Sequence, residues 1–187
     1  IRIMAEAGER AGMPKGLIAC MRKVTLPGTQ ELMKHKYVAL ILATGGSDMV
    51  RAAHSVGKPA YGVGPGNVPA YVDRSADVAQ AAKYIVASKA FDHSVICATE
   101  QAVVADRPIA AQLEEMMKAE GAYFVDDNIK QILAKNLFVG HLPNPKGVGK
   151  SPQQLAQQYG FSVPDWARIL VVRLNSVGRD EPLSGEK

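Results

Sequence analysis

Val38-Ala39-Leu40-Ile41-Leu42-Ala43, followed at once by Thr44-Gly45-Gly46-Ser47, is the stretch that decides the predicted fold. An apolar run without a polar break is typical of a strand buried on both faces of a parallel sheet. A helical pattern follows over residues 48–55, so the stretch predicts a strand–turn–helix unit. Because parallel strands are joined by crossover helices, we expect an α/β architecture.

The same alternation continues along the rest of the chain. Periodic apolar spacing and flanking stop signals predict helices over 1–11, 28–35, 48–55, 76–90, 108–119, 127–136 and 152–159. Short apolar runs predict strands at 17–20, 38–43, 60–63, 69–72, 101–105, 122–125 and 169–174. The pattern therefore indicates an α/β fold with a largely parallel sheet flanked by helices.

Composition argues against several classes of function. The chain has 187 residues, of which 47% are hydrophobic and 21% charged, and this suits one soluble domain with a sizeable core. The formal net charge is +4 and the basic residues are scattered among few aromatics, so we expect no nucleic-acid partner. No apolar run approaches the roughly 18 residues of a membrane helix, and no membrane association is expected.

The cysteines and histidines are few. Cys20 and Cys97 make no disulfide framework, which favours a reducing, cytoplasmic location. The four histidines are dispersed and give no metal-ligand spacing, so no metal site is predicted. Cys20 falls in the apolar run 17–20 and is expected in the core.

Cys97 is the candidate nucleophile. It lies between the predicted helix 76–90 and the predicted strand 101–105, where backbone N–H groups can stabilise an exposed thiolate. A free cysteine is also among the most buried residue types, so a small buried hydrophobe is the competing interpretation. Position along the chain leaves both open.

Four charged or ionisable residues extend this hypothesis. On a strand-like approach His93 would share a face with Cys97 and act as a base, although solvated histidines near helix ends are common. Glu100 would point to the opposite face and is expected to be structural. Lys146 and Lys150 either meet an anionic ligand or belong to a solvated loop.

Two glycine-rich turns are candidates for ligand binding. The turn Thr44-Gly45-Gly46-Ser47 lets the backbone approach a phosphate at a helix N-terminus, although it lacks the GxGxxG and Walker spacings. A plain strand–helix turn is the alternative. The loop Gly62-Val63-Gly64-Pro65-Gly66-Asn67 holds three glycines and either makes room for a flat ligand or forms a simple turn.

Taken in order, these segments resemble the aldehyde dehydrogenase superfamily, and within it the CoA-acylating branch of acetaldehyde dehydrogenases and their microcompartment relatives. The resemblance runs nearly end to end and rests on motifs in the same order and spacing. The matching segments are Leu42-Ala43-Thr44-Gly45-Gly46-Ser47-Asp48-Met49-Val50, Gly57-Lys58-Pro59-Ala60-Tyr61-Gly62-Val63-Gly64-Pro65-Gly66-Asn67, Ser88-Lys89-Ala90-Phe91-Asp92, Ile96-Cys97-Ala98-Thr99-Glu100-Gln101 and Gly160-Phe161-Ser162-Val163-Pro164.

The resemblance implies a Rossmann-like fold in which residues 1–90 belong to the NAD(P)-binding domain and residues 91–187 to the catalytic domain. It implies oxidation of a small aldehyde to an acyl-CoA, with NAD or NADP as cofactor and coenzyme A as the acyl acceptor. Cys97 corresponds to the family nucleophile, which passes through a thiohemiacetal and a thioester. A homo-oligomer, in the cytoplasm or within a bacterial microcompartment, is also implied.

The resemblance also assigns cofactor contacts. The pyrophosphate would lie near Thr44, Gly45, Gly46 and Ser47, and the nicotinamide by Gly62, Val63 and Gly64. The backbone N–H of Cys97 would help to form the oxyanion hole. Glu186 resembles the glutamate that holds the nicotinamide ribose, with Glu181 as the alternative register.

One difference within the family bears on the acyl acceptor. Hydrolytic members carry a general-base glutamate at the position that matches Gly62, and its absence here favours a thiol over water. A hydrolytic enzyme, a semialdehyde dehydrogenase of the same superfamily and a non-catalytic binding or assembly module remain as alternatives.

The ends of the sequence carry a further expectation. The chain opens within a helical pattern, without an initiator methionine, and stops without a terminal element. We therefore expect a piece of a longer protein with flanking segments at both ends, and little or no activity from this piece alone.

Overall fold

The computed structural model describes residues 1–64, 66–140, 142–178 and 180–185. Within them the α-helices are α1 (Arg2–Arg10), α2 (Leu26–Lys34), α3 (Ser47–His54), α4 (Val78–Ala90), α5 (Arg107–Ala119), α6 (Asp127–Asn136) and α7 (Pro152–Tyr159). The strands are β1 (Ile41–Thr44), β2 (Ala60–Val63), β3 (Val68–Val72), β4 (Glu100–Ala105), β5 (Ala122–Phe124), β6 (Phe138–Val139), β7 (Leu142–Pro143) and β8 (Ile169–Val171). Short 3-10 turns lie at Phe91–Ser94 and Pro182–Ser184.

The strands associate in pairs. β1 lies parallel to β2, β3 parallel to β4 and β5 parallel to β8, whereas β6 and β7 form a small antiparallel hairpin. Helices follow or precede each parallel pair along the chain. The predicted α/β fold with parallel strands and flanking helices is therefore confirmed, and the short hairpin is an addition that the sequence pattern did not indicate.

The chain divides into two compact units, Ile1–Gly64 and Pro65–Lys187, called here the first and second unit. This division falls earlier than the expected functional boundary between residues 90 and 91. The two divisions rest on different criteria, contact density and cofactor role, so the functional boundary stays a prediction.

The first unit is built around β1 and β2. Ile41 and Ala43 point into a small core with Met33 of α2 and Ala53 of α3. Leu42, between them, is 75% exposed, so the prediction that β1 is buried on both faces is wrong within this unit. The reason is that the described residues of the first unit cover only one face of β1. The side chains on its other face, at every second residue, point outward.

The segment before α2 also departs from expectation. Residues 17–20 form turns and irregular backbone instead of a strand, and Leu17 is 67% exposed. The placement of Cys20 in the core is likewise wrong, because its thiol is exposed. A four-residue apolar run becomes a strand only where a neighbouring strand can pair with it.

The main core of the second unit lies between α4, α5 and the strands. The predicted apolar stripe of α4 is buried there, together with residues of α5, β3, β5 and β8; the set is Val72, Val78, Ala82, Ile85, Val86, Ile109, Leu113, Met117, Ala122 and Ile169. Asp77 caps α4 by accepting a hydrogen bond from the N–H of Gln80 at 3.0 Å. This packing fixes α4 and β4, the two elements that flank Cys97.

A further cluster in the second unit holds the C-terminal end. Val125, Ile129, Leu133 and Leu183 are buried together, so the Pro182–Ser184 turn packs against α6. Asp126 caps α6 by accepting a hydrogen bond from the N–H of Ile129 at 2.8 Å. None of the described helices is both long enough and apolar enough to cross a membrane.

Candidate active site

Cys97 stands at the tip of a tight turn between α4 and β4. The N–H of Thr99 donates to the carbonyl oxygen of Ile96 at 3.0 Å, which places Cys97 and Ala98 at the centre of a four-residue turn. The thiol of Cys97 is exposed. The competing interpretation of Cys97 as a small buried hydrophobe is therefore wrong.

The peptide N–H of Cys97 is available to a ligand. Among the described residues no carbonyl oxygen accepts a hydrogen bond from it. A β-carbon added to Gly66 would lie 3.7 Å from the carbonyl oxygen of Cys97, so the end of the glycine loop borders this turn. An exposed thiol and an open N–H on the same residue are the two groups that acyl chemistry at a cysteine requires.

Backbone strain lies immediately before this turn. Asp92, His93 and Ser94 have φ angles of 48°, 49° and 65°, in the left-handed region that disfavours residues with a β-carbon. Each such residue costs about 1–2 kcal/mol. Strained backbone persists only where the surrounding structure holds it, and it is concentrated at functional sites.

A hydrogen-bonded chain of side chains lies under the Cys97 turn, and it is called here the polar chain. The ammonium of Lys89 donates to Gln101 Oε1 at 2.6 Å, and Gln101 Nε2 donates to Thr99 Oγ1 at 3.5 Å. The hydroxyls of Thr99 and Ser94 lie 2.8 Å apart. Thr99 is 4% and Gln101 8% exposed, so the middle of the polar chain is buried.

His93 lies in a different backbone conformation from the one that the sequence suggested, whereas the structural role expected of Glu100 stays a prediction. The approach to Cys97 is a left-handed segment and not a strand, so the even spacing of His93 and Cys97 puts them on no common strand face. His93 is exposed, and no hydrogen bond joins it to Cys97 in the part of the chain that the structure describes. Glu100 begins β4, and its Oε2 atom is buried without a hydrogen-bond partner among the described residues.

The two segments predicted to bind the cofactor, residues 44–47 and 62–64, lie next to each other in the first unit. Thr44 and Val63 are paired at the carboxyl ends of β1 and β2, so the turn 44–47 and the segment 62–64 lie at the same end of a parallel pair. The N–H of Gly45 donates to the carbonyl oxygen of Val63 at 3.1 Å. Ligands of open α/β sheets bind beyond this end of the strands.

The N-terminus of α3 has no side-chain cap, and phosphate binding there stays a prediction. Gly46 is its N-cap residue and supplies no side-chain hydrogen bond to the first turn. Peptide N–H groups at such a terminus attract anions. Asp48 in the same turn carries a negative charge, but Arg51 pairs with it at 3.5 Å.

Gly62 has a packing role that its place in a glycine-rich loop did not reveal. A β-carbon at position 62 would lie 2.4 Å from Val50 Cγ1 and 3.0 Å from His54 Nε2, both on α3. Gly64 differs, since no atom of the described residues lies within 4 Å of its added β-carbon. Gly62 therefore allows the close approach of α3 to β2, while Gly64 leaves open space.

Comparison with known proteins decides the family. The sequence profile of the aldehyde dehydrogenase family matches residues 1–145. The chain belongs to the aldehyde dehydrogenase family. The resemblance drawn from the sequence motifs is confirmed.

Individual family members agree with this assignment. The chain is similar to an acetylating aldehyde dehydrogenase from Geobacillus thermoglucosidasius, with 49% identity over 100% of this chain and 41% of that one and a TM-score of 0.93. It is 43% identical, over 100% of its length and 22% of the relative, to an aldehyde-alcohol dehydrogenase of Streptococcus pneumoniae serotype 4 (strain ATCC BAA-334 / TIGR4). A propionaldehyde dehydrogenase from Rhodopseudomonas palustris, solved with bound CoA and an acylated cysteine, is 33% identical over 97% of this chain and 41% of that one, with a TM-score of 0.83.

This aldehyde dehydrogenase family chain thus spans about a fifth of the curated relative and about two fifths of each solved structure. Glu186 lies outside the described residues, and Glu181, the alternative, is half-buried at the start of the Pro182–Ser184 turn. Asn67 of the glycine loop donates to the carbonyl oxygen of Ser184 at 2.9 Å and ties that turn to the loop.

Lys146 and Lys150 are both exposed, and their role towards an anion stays a prediction. Their loop nevertheless touches the nucleophile segment. Gly149 has a φ of 70°, and a β-carbon there would lie 2.9 Å from Val95 Cγ2. Glycine at this position therefore lets the loop pack against the residues that precede Cys97.

Asp106 lies just beyond the end of β4 and joins it to β3 and the residues after β3. It accepts hydrogen bonds at 2.9 Å from the hydroxyl of Tyr71 and from Arg74 Nε. The hydrogen bond from Arg74, and then that from Tyr71, hold the pKa of Asp106 below its ordinary value. Asp106 in turn raises the pKa of Tyr71 through the same hydrogen bond.

Proposed function

We propose that this chain carries the nucleophile and part of the cofactor site of a CoA-acylating aldehyde dehydrogenase that is dependent on NAD or NADP. The observation that carries the proposal is Cys97, an exposed thiol at the tip of a turn whose own N–H is open. The acylated cysteine in the Rhodopseudomonas palustris relative supports the same chemistry.

The reaction follows from these groups. The Cys97 thiolate attacks the carbonyl carbon of a small aldehyde, and the oxygen, now negative, accepts a hydrogen bond from the Cys97 N–H. The resulting thiohemiacetal loses a hydride and becomes a thioester. The thiol of coenzyme A then attacks the thioester carbonyl, the Cys97–carbon bond breaks, and acyl-CoA leaves with the free thiol restored.

The cofactor, when bound, accepts the hydride. The first unit offers residues that fit it: the uncapped α3 N-terminus for the pyrophosphate, with Thr44, Gly45, Gly46 and Ser47, and the neighbouring strand end for the nicotinamide, with Gly62, Val63 and Gly64. The open space at Gly64 supports the approach of a flat ring. Glu186, or Glu181 in the alternative register, is proposed for the ribose.

Gly62 supports coenzyme A over water as the acceptor. A glutamate at this position would have to place its β-carbon 2.4 Å from Val50 Cγ1. The carboxylate that hydrolytic members use at the matching position could therefore be placed here only if Val50 shifted. The relatives named acetylating and solved with bound CoA agree with a thiol acceptor.

The test is a steady-state assay of the purified protein that carries this sequence. Acetaldehyde, propionaldehyde and sulfoacetaldehyde are oxidised with NAD or NADP, with and without coenzyme A, and the product is identified by mass spectrometry. We expect acyl-CoA and a rate that depends on coenzyme A. Free acid as the main product would indicate a hydrolytic enzyme, and no turnover with an unreactive Cys97 would indicate a binding module; either result overturns the proposal.

Assembly and location follow from the family resemblance as part of the same proposal. We propose a homo-oligomer located in the cytoplasm or within a bacterial microcompartment. Light scattering of the purified protein measures the first, and a single monomeric mass would contradict it. Fractionation of cells that produce the protein measures the second.

A further inference from the structure

We propose that the polar chain Lys89–Gln101–Thr99–Ser94 positions the Cys97 turn for attack, with Thr99 as its central residue. The inference rests on the proposed function of Cys97 as a nucleophile. These residues are positioning residues, since they act through the backbone that carries Cys97.

Thr99 makes hydrogen bonds to the segment before Cys97 and within the turn that contains Cys97. Its N–H closes the turn by donating to the Ile96 carbonyl oxygen at 3.0 Å, and so fixes the backbone around Cys97 and Ala98. Its hydroxyl lies 2.8 Å from that of Ser94, the last of the three left-handed residues. One buried residue therefore restrains the strained segment before Cys97 and the turn that contains it.

Lys89 determines how the side-chain amide of Gln101 is oriented in the polar chain. Because its ammonium donates to Gln101 Oε1, the Gln101 amide must present Nε2 to Thr99. The Thr99 oxygen accepts that bond, and the hydroxyls of Thr99 and Ser94 share a further hydrogen bond in which either can donate. The charged donor thus orients the Gln101 amide, and helix α4, strand β4 and the left-handed segment are joined through side-chain hydrogen bonds.

The backbone strain before Cys97 explains why the polar chain is needed. Three consecutive left-handed residues with β-carbons relax to ordinary backbone unless something holds them. Relaxation of Ser94 would displace the Ile96–Thr99 turn and with it the open N–H of Cys97. A displacement of about 1 Å at a reacting group can cost on the order of a hundredfold in rate.

The experiment compares Thr99→Val, which keeps the shape but removes the hydroxyl, with Thr99→Ser, which keeps the hydroxyl. Iodoacetamide is the probe, and mass spectrometry reads alkylation of Cys97 relative to Cys20, which is also exposed and serves as an internal reference in the same molecule. We expect Thr99→Val to lower the Cys97 to Cys20 ratio about tenfold or more, and Thr99→Ser to retain it within about twofold. In turnover we expect kcat to fall with little change in the KM for the cofactor.

Ser151→Ala is the matched structural control. It removes the capping box of α7 in the same unit, and none of the hydrogen bonds of Ser151 among the described residues reaches the polar chain. It should therefore cost stability but leave the alkylation ratio unchanged. Lys89→Met, which breaks the polar chain at its far end, serves where Thr99→Val fails to fold. It should lower the ratio in the same direction.

The outcomes separate the two proposals. An unchanged alkylation ratio in Thr99→Val, or equal loss in Thr99→Ser, overturns the positioning role while leaving the nucleophile in place. A lowered ratio in Thr99→Val, rescued in Thr99→Ser, supports it even if the wild-type protein forms no acyl-CoA. That last result would contradict only the proposed function.

Discussion

Two turns in this molecule carry the peptide N–H groups that the proposed function assigns to ligand binding, and they are built differently. The turn Thr44–Ser47 uses glycines and has no side-chain cap, so the backbone itself forms the site. The Cys97 turn follows three left-handed residues that are not glycine, and buried side chains hold it. The turn Thr44–Ser47 can therefore be recognised in the sequence from its glycines, whereas the Cys97 turn has no such pattern.

The largest expected effect concerns the thiol. Cys97→Ser should lower turnover by about 10³-fold or more, because an alcohol does not form the thiolate that attacks the aldehyde. Cys20→Ser is the matched control, since its thiol is also exposed and lies in the other unit. Acyl-CoA formation measures both, and equal loss in the two variants would show that exposure and not the Cys97 turn decides reactivity.

The glycine-built site can be tested at the level of stability. Gly62→Ala should lower the free energy of unfolding by about 1–3 kcal/mol through the contact with Val50. Gly64→Ala should change it by less than about 0.5 kcal/mol, because its added methyl group meets open space. Urea denaturation measures both. Similar losses would mean that backbone freedom, and not the approach of α3, explains both glycines.

The strained site should respond in the opposite way to glycine. Ser94→Ala keeps the left-handed strain and loses the hydroxyl, whereas Ser94→Gly loses the hydroxyl and relieves the strain. We expect Ser94→Gly to be more stable than Ser94→Ala by about 1 kcal/mol in urea denaturation. Equal stability of the two variants would argue that Ser94 bears no strain.

The smallest expected effect is on pH dependence at the end of β4. The pKa of Asp106 in the folded chain lies below its unfolded value, which is about 3.9. Asp106 therefore contributes its full stabilisation at pH values above the unfolded pKa. This stabilisation is lost as pH falls through the lower, folded pKa. Asp106→Asn should therefore flatten the loss of stability between about pH 5 and pH 2 in thermal unfolding. A profile that keeps the wild-type slope would assign the acid loss to other carboxylates.

The sequence predicted the elements that depend on local signals. The bounds of α3 and α5 fall within one residue of prediction, because Gly46, Gly57 and Asp106 lie beside their ends. Asp77 and Asp126 cap α4 and α6, and aspartate directly before a periodic apolar segment is a local signal of that kind. Residues 17–20 were misread because a short apolar run carries no information about its neighbour.

The parts of the candidate site that could be predicted are those whose residue types are characteristic of one kind of chemistry. The order of glycine motifs and Cys97 pointed to the nucleophile and to the family. The role of Thr99 was not predictable, since its two bonds depend on where Ser94 and Gln101 lie in the folded chain. The left-handed conformations of Asp92 and His93 were hidden for the same reason: nothing local to these residues demands them.

The contact beneath Gly62 restricts the evolutionary paths open to this chain. A single substitution to glutamate meets Val50 before its carboxylate can reach any water, and so lowers stability before it can add a new activity. A smaller residue at position 50 would relieve this contact, although by itself it would bring no catalytic benefit. A change of acyl acceptor by this route therefore depends on two positions and not on one.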